Sequence, residues 1–203
     1  MNVDDCRFCI LPEPERILLK TSNFVVMMGL GPITQGYILI LSKTHYSCCA
    51  AIPEELALEF QELVDRVAKA QREVYGCSLF FEHGRSGSCM PNSMGEDHCF
   101  HAHLHLVPTT APLASRVGQD YDLQLIRDWP SVRASYKVNP APYILVQTQG
   151  GISFYSTPEK LARHYLRSVL AELYGVPHLA DWMAFPSYRA IFAGRELLLP
   201  YFD

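Results

Sequence analysis

The chain has 203 residues, of which 49% are hydrophobic and 19% charged, and its formal net charge at pH 7 is −4. This length and composition fit a globular protein with one domain, or one domain with an extension. The negative charge supplies no basic field to recruit a nucleic acid polymer, and no apolar run approaches the ~20 residues of a membrane helix. We therefore expect neither a nucleic acid partner nor a membrane span, although a local basic pocket for one small phosphate ligand stays open.

The cysteines and the amino terminus indicate the compartment. The 7 cysteines follow no regular disulfide framework, and the acidic start MNVDD lacks the basic-then-apolar order of a signal peptide. We expect a reducing, cytoplasmic setting, in which a Cys-x-x-Cys pair is more often a metal site or a redox motif than a disulfide.

The first half of the chain predicts a sheet and one long helix. Apolar runs at 24–28 and 37–41 flank a Gly/Pro loop and predict neighbouring antiparallel strands. A helix is predicted from Pro53 to Gly76, because prolyl and acidic residues open it and apolar residues then recur at three- and four-residue spacing. A strand at 79–82 follows, then a Gly/Ser-rich loop, and then a histidine-rich strand that ends at Pro108.

The second half predicts shorter elements. A short helix is expected near 122–128, and a hairpin joins strands 143–147 and 152–155. A helix is expected from a Thr157 cap to about Tyr174, closed by Gly175. On it, Arg163, His164 and Arg167 have a spacing that suits a phosphate, although solvated helix charges are the default interpretation. The last segment, from 180 onwards, has no firm assignment.

Four of the 8 histidines fall in the stretch HCFHAHLHLVP, residues 98–108. Three of them, His101, His103 and His105, alternate with small or apolar residues. In a strand they line one face while the residues between them enter a core. Two chemistries use such an array: metal binding by neutral imidazoles, and nucleophilic catalysis by an imidazole whose neighbours orient it. A merely solvated strand would rarely collect three histidines in five positions.

The segment HAHLHLV, residues 101–107, matches without a gap the His-φ-His-φ-His-φ-φ motif of the histidine-triad (HIT) family. Two further segments resemble the family. The Cys-x-x-Cys at 6–9 is similar to the pair that opens many bacterial members, and GYILI with SKTH, residues 36–45, is similar to its Gly-His-x-Leu-φ-x-Pro-Lys-x-His strand. The resemblance covers roughly residues 6–110.

The resemblance implies a fold and an assembly. The fold is α+β, a mostly antiparallel sheet with packed helices, commonly paired into a homodimer. We expect a HIT domain over residues 1–110. Residues 111–203 then form an α+β extension, a hairpin plus a helix, that packs on this domain or takes part in the dimer.

The resemblance also implies a reaction on a nucleotide substrate. His103 is the expected nucleophile: it attacks the α-phosphorus and forms a nucleotidyl-histidine, which water or another acceptor resolves, with His105 beside it. The chain is then a hydrolase or transferase acting on phosphoric anhydride, ester or phosphoramidate bonds. Two alternatives stay open: a nucleotide-binding regulatory protein without turnover, and a zinc metallohydrolase that uses all three triad histidines.

In the zinc-binding members, two cysteines, the histidine after the Lys-x sequence and the first triad histidine hold the metal. The matching residues here are Cys6, Cys9, His45 and His101. Two thiolates and two imidazoles are the ligand set of a closed, structural zinc site. The alternative is that the cysteines are ordinary reduced thiols and His45 is a surface residue.

Several positions depart from the family pattern and bear on the substrate. Tyr37 stands where the family has the histidine of its Gly-His strand, and residues 81–84 (FEHG) replace an Asn-rich strand. His98 stands three residues before the triad, where many members carry a Ser or Thr that touches the leaving group. It is a candidate general acid, or a packed or solvated histidine. Asn92, Arg85 and Tyr37 are candidate substrate contacts.

Overall fold

The computed structural model describes residues 6–11, 13–85, 90–91, 97–98, 100–159, 161–162 and 164–203. The helices are α1 (Arg7–Ile10), α2 (Ala57–Tyr75), α3 (Leu113–Val117), α4 (Trp129–Val138), α5 (Tyr165–Leu173) and α6 (Tyr188–Leu198). The strands are β1 (Ile17–Lys20), β2 (Phe24–Met28), β3 (Ile38–Ser42), β4 (Leu79–Gly84), β5 (Met90–Pro91), β6 (Asp97–His98), β7 (His103–Val107), β8 (Gln124–Ile126), β9 (Tyr143–Thr148) and β10 (Gly151–Ser156). The fold is α+β, as predicted. In the described part of the chain, no helix combines the length and the apolar character that a membrane crossing requires.

One eight-stranded sheet, in the order β1-β2-β3-β7-β4-β9-β10-β8, joins both halves of the chain. Its neighbouring strands are antiparallel. β4 pairs with β7 on one side and with β9 on the other. The first five strands of the sheet therefore continue directly into the three strands of the carboxy-terminal half. Strands β5 and β6 pair with each other separately.

The two faces of the sheet carry separate apolar clusters. On one face, Leu104 and Leu106 of β7 pack with the apolar side of α2 and with Ile191 of α6. On the other face, strand residues such as Leu41 and Phe81 pack with α3 and α5. The pleat of β7 turns its histidines towards this second face, which confirms the predicted alternation.

The strongest periodic patterns are confirmed. β2 spans the predicted run, α2 ends at Gly76, which has a φ of 79° and bonds back to Arg72 O, and β9 and β10 form the predicted hairpin. The prediction of a short helix near 122–128 is wrong. Gln124–Ile126 is instead a strand that pairs with β10, and the helix starts at Trp129. The Asp128 carboxylate caps that helix by accepting from Ser131 N, and proline in the first turn favours the same start.

The predicted start of the next helix is also wrong, whereas its end is confirmed. Thr157 is buried, its amide bonds to Pro142 O, and its hydroxyl accepts from Glu159 N, so it closes the hairpin with a local turn. α5 begins only at Tyr165, after His164 in the left-handed region with a φ of 56°. The end at Gly175, with a φ of 69°, is as expected.

Glu82 of β4 is a buried carboxyl group that links three elements. Its side chain is 1% exposed and accepts hydrogen bonds from Cys49 N at 2.7 Å and from Tyr143 Oη at 2.6 Å. Burial raises the pKa of Glu82 to about 7, and the two hydrogen bonds offset only part of that rise. The folded protein therefore holds this proton at a pH where an unfolded chain has lost it.

We expect Glu82→Gln to flatten the pH dependence of stability between pH 4.5 and pH 7. Because the unfolded Glu82 loses its proton first, the contribution of this group to the free energy of unfolding falls as pH rises through that window. The fall is on the order of 3 kcal/mol. Urea denaturation at several pH values measures it, with the exposed Glu62→Gln as control. A wild-type slope in Glu82→Gln would show that the carboxyl group ionises normally.

Candidate catalytic cavity and metal site

The side chains of His103 and His105 lie on the central strand β7. In the paired strands, His103 lies opposite Leu41 and His105 lies opposite both Leu39 and Phe81. The two histidines are 6% and 8% exposed. Strands on both sides therefore fix their backbones and direct both rings into the same cavity.

The hydrogen bond of His103 defines its tautomer. Nδ1 of His103 lies 2.6 Å from the carbonyl oxygen of His101. A carbonyl oxygen only accepts, so Nδ1 carries the proton and Nε2 keeps the lone pair. Burial is the main reason that the pKa of His103 is lowered to about 4, so the ring is neutral at pH 7. A neutral, fixed imidazole whose Nε2 carries the lone pair has the chemistry of a nucleophile.

His105 is held by two aromatic neighbours. Its Nδ1 lies 2.9 Å from the hydroxyl of Tyr37, and its ring stacks on Phe81 with centroids 4.7 Å apart. Burial, reinforced by His103, lowers the pKa of His105 well below its usual value. Tyr37, where the family pattern has a histidine, is thus buried in the cavity wall and orients His105.

The cavity above these histidines has a volume of about 70 Å³. Sites that enclose a drug-sized ligand measure ~300–1,000 Å³. Two half-exposed residues meet in the wall: the guanidinium of Arg7 lies 5.2 Å from the ring centroid of Trp182. The space fits a phosphoryl-sized group, while the rest of a larger ligand has to lie outside it or displace the wall.

Positive charge dominates the described lining of the cavity. It contains the guanidiniums of Arg7, Arg16 and Arg167 and no carboxylate. Nearby Glu13 pairs with two of them, at 2.5 Å from Arg7 and 3.0 Å from Arg16. Three positive groups therefore face one negative group, and an anionic ligand suits this space.

The arginines enter the cavity from distant parts of the chain. Arg16 is 3% exposed, and its Nη1 donates to Met28 O at 2.5 Å. Arg167 of α5 is 6% exposed, donates to Gly31 O at 2.7 Å, and its guanidinium lies 5.1 Å from the Tyr37 ring centroid. The default interpretation of Arg167 as a solvated helix charge is wrong, since the α5 face that carries it is buried. No local sequence pattern marks Arg7 or Arg16 as residues that line the cavity.

The other predicted substrate contacts lie elsewhere or outside the described residues. Arg85 follows β4 with a φ of 55° and donates to Tyr136 Oη at 3.1 Å and to Pro140 O at 2.9 Å, outside the described cavity lining. It links the two halves of the chain. The backbone of His98 lies in β6, but its side chain is outside the described part, as is all of Asn92. Their roles stay predictions.

A second cluster collects the four predicted metal ligands. One ligand atom from each of Cys6, Cys9, His45 and His101 lies within 4.8 Å of all the others. His101 Nδ1 is 3.5 Å from both sulfur atoms and 3.3 Å from His45 Nδ1, and Cys9 Sγ is 3.3 Å from His45 Nδ1. Zn–S and Zn–N bonds in a tetrahedron separate the ligands by ~3.3–3.8 Å. The four residues thus fit a tetrahedral zinc ion.

Local structure prepares this cluster. Cys6 caps the single turn of α1, and Cys9 N bonds to Cys6 O at 3.0 Å, which turns both sulfur atoms to one side. His101 Nε2 lies 2.7 Å from Ser42 O and must donate to it, so Nδ1 offers its lone pair to the cluster. Burial, with Cys6 next to it, raises the pKa of the Cys9 thiol to about 12, so a bound metal has to displace thiol protons.

Comparisons with known proteins address the same half of the chain. The model of the HIT domain matches residues 12–111. Protein hit of Bacillus subtilis (strain 168) is 24% identical over 111 residues, which are 52% of this chain and 71% of that protein. Among solved structures, a Zn-bound histidine triad family protein from Mycobacterium smegmatis is 23% identical with a TM-score of 0.42, covering 55% of this chain and 79% of that one.

A hypothetical histidine triad nucleotide-binding protein from Sulfolobus tokodaii is 21% identical with a TM-score of 0.40, covering 51% of this chain and 68% of that one. The family model spans β1 to β7 and ends just after the strand of alternating histidines. Residues 12–111 of this chain therefore form a HIT domain.

Proposed function

We propose that this protein is a nucleotide hydrolase or nucleotidyl transferase that cleaves at the α-phosphate through a nucleotidyl-His103 intermediate. One observation carries the proposal: Nδ1 of His103 donates to His101 O, which leaves the Nε2 lone pair in a cavity of positive charge. Membership of the HIT family supports nucleotide chemistry at the level of the family.

The first step forms a bond between His103 Nε2 and the α-phosphorus. As this bond forms, the bond from phosphorus to the leaving group breaks, and the leaving group departs with its electron pair. The imidazole then carries phosphorus on Nε2 and a proton on Nδ1, so it is a cation. The His101 carbonyl stabilises that charge, because the existing hydrogen bond strengthens as the ring becomes positive.

In the second step, water or another hydroxyl group attacks the same phosphorus. The P–N bond breaks, its electron pair returns to Nε2, and the attacking oxygen loses its proton to the leaving group or to solvent. The arginines that line the cavity neutralise negative charge on the phosphoryl oxygens in both steps. Because the cavity holds about 70 Å³, we place only the phosphoryl group inside it and the nucleoside beyond the wall.

His105 has a binding role in this scheme. If Tyr37 donates its hydroxyl proton to Nδ1, then Nε2 of His105 carries a proton that can bind a phosphoryl oxygen. Phe81, stacked on the same ring, prevents its rotation. Tyr37 is thus a positioning residue that acts through His105.

The metal cluster has a structural role in this proposal. Cys6, Cys9, His45 and His101 would hold zinc with no open position, and the ion would supply a cross-link between α1, the segment after β3 and the segment before β7. The cluster contains only one triad histidine, so the geometry favours covalent catalysis over a metallohydrolase that uses all three.

A homodimer and a cytoplasmic location remain part of the proposal. Because β4 is paired on both sides within the chain, another copy can extend the large sheet only at its outer strands, β1 and β8. Light scattering coupled to size-exclusion chromatography measures the oligomeric state.

The proposal is tested by the release of nucleoside monophosphate from adenosine and guanosine phosphoramidates, dinucleoside polyphosphates and nucleotide sugars. We expect release from at least one class, and a chelator should stop it only as the protein unfolds. Binding without release would favour the nucleotide-binding regulatory protein. Immediate loss on chelation, with an unchanged circular dichroism spectrum, would favour the metallohydrolase.

Arg7→Gln should weaken substrate binding. The guanidinium is half-exposed in the cavity wall, so its loss removes an anion contact without opening the core. We expect KM to rise roughly three- to tenfold, or about 0.7–1.4 kcal/mol, with a smaller change in kcat. Lys69→Gln removes an exposed charge on α2 outside the cavity lining and is the control. An equal change of KM in both variants would mean that only net charge matters.

A further inference from the structure

A fourth histidine, His83, faces the cavity from β4. Phe81 lies opposite His105 in the antiparallel pair of β4 and β7. Side chains two residues apart share a face, so His83 projects on the same side as Phe81 and, by the same register, beside His103. His83 lines the cavity together with His103 and His105.

One ring nitrogen of His83 lacks a partner. Its Nε2 is buried and makes no hydrogen bond within the described part of the chain. Leaving such a group unpaired in the interior costs ~1–3 kcal/mol, and native proteins rarely tolerate it without a reason. Burial, with His103 as the next cause, lowers the pKa of His83 to about 3, so the ring enters the cavity as a neutral hydrogen-bonding group.

The surroundings of His83 indicate what the missing partner is. The described cavity lining combines cationic arginines with neutral histidines and has no carboxylate, so it does not favour a positively charged group. The other polar groups near His83 include His164, whose Nε2 accepts from Trp182 Nε1 at 3.3 Å. An oxygen atom of an anionic group bound at His103 could accept the hydrogen bond that Nε2 of His83 does not make within the described part of the chain.

We propose that His83 is a substrate ligand whose Nε2–H donates a hydrogen bond to a non-bridging oxygen of the phosphoryl group that His103 receives. The inference rests on the proposed function and adds a contact to it. It also gives a role to the FEHG segment, which departs from the family pattern at 81–84. Glu82, the neighbouring residue, faces the opposite side of the sheet and bonds to Tyr143 and Cys49.

The kinetic test compares two substitutions of His83. His83→Phe keeps a ring but removes the donor, and we expect kcat to fall on the order of 10²-fold with little change in KM. His83→Gln places an amide N–H near the position of Nε2 and should restore at least one order of magnitude of that loss. His178→Phe, at an exposed histidine outside the cavity lining, should behave as wild type.

The outcomes separate this inference from the proposed function. If release depends on His103 but His83→Phe keeps kcat within about twofold of wild type, the inference is overturned and the proposed function stands. Equal losses in the Phe and Gln variants would also overturn it, since a merely structural role predicts no rescue.

A second measurement uses the wild-type protein and does not depend on how the variants fold. Imidazole ¹⁵N–¹H correlation spectra report the protonated nitrogen of each histidine, and adenosine monophosphate is the probe. We expect a proton on Nε2 of His83 and a shift of that resonance when the probe binds. An unchanged His83 resonance, at concentrations that shift His103, would contradict the contact. If neither the His83 nor the His103 resonance shifts, the result would contradict the proposed function as well as the His83 contact.

Discussion

His103→Ala is expected to lower nucleoside monophosphate release on the order of 10⁴-fold or more while the protein stays folded. The substitution removes Nε2, the only atom that forms the covalent bond in the proposed reaction. It also removes the hydrogen bond to His101 O, which costs only about 1 kcal/mol of stability. Release is measured by chromatography on the preferred substrate, and folding by circular dichroism and thermal melting.

The matched control is His178→Ala. His178 is exposed and contacts Phe185 rather than the triad, so its loss should leave turnover at the wild-type level. Release by folded His103→Ala at more than about a tenth of the wild-type rate would exclude His103 as nucleophile.

Cys6→Ser is expected to remove zinc and to lower Tm by roughly 5–15 °C. A serine hydroxyl replaces a thiolate in the four-residue cluster, and the ligand set then no longer suits a structural zinc site. Because the cluster connects α1 to the residues next to β3 and β7, the substitution weakens the packing of α1 against the sheet. Elemental analysis of protein prepared without chelator should give about one zinc per wild-type chain, and less than half of that in the variant.

Cys77→Ser is the control for this effect. Cys77 lies outside the cluster, and its sulfur contacts only Tyr75 O at 3.7 Å among the contacts described. It should retain both zinc and the wild-type Tm. Wild-type protein without zinc, together with an unchanged Tm in Cys6→Ser, would contradict a structural metal.

The metal site and the cavity should be coupled through α1. Phe8, which lies between Cys6 and Cys9 of the proposed metal site in sequence, packs on His103 with ring centroids 4.8 Å apart. Arg7 of the same turn lies in the cavity wall. We therefore expect the loss of zinc to loosen two contacts of the proposed reactive site, although His103 itself is held by β7.

The position of the alternating histidines on strand β7 was predictable because the pattern that determines it is local in sequence. A period of two places His103 and His105 on one face whatever surrounds them, and the structure agrees. The same period does not predict that His101 lies in the metal-ligand cluster while the other two histidines face the cavity. The different role of His101 depends on its contacts with Ser42 O and with the cysteines, which lie 59 or more residues away in sequence.

The remainder of the cavity depends on tertiary contacts that local patterns do not record. Arg16 and Arg167 converge only because β1 and α5 pack near the same strands. Likewise, Gln124–Ile126 is short enough that pairing with β10, rather than intrinsic propensity, decides its conformation. His83 lies one residue beyond the strand predicted at 79–82, and its position next to His103 depends on the order of the strands in the sheet.

The most direct test of the covalent mechanism is the stereochemical course at phosphorus. A substrate made chiral at the α-phosphorus by sulfur and oxygen isotopes is converted by the wild-type protein, and the configuration of the product is determined by ³¹P NMR. Two in-line displacements, first by His103 and then by the acceptor, predict overall retention of configuration. Inversion would show a single displacement by water or acceptor and would contradict a nucleotidyl-His103 intermediate.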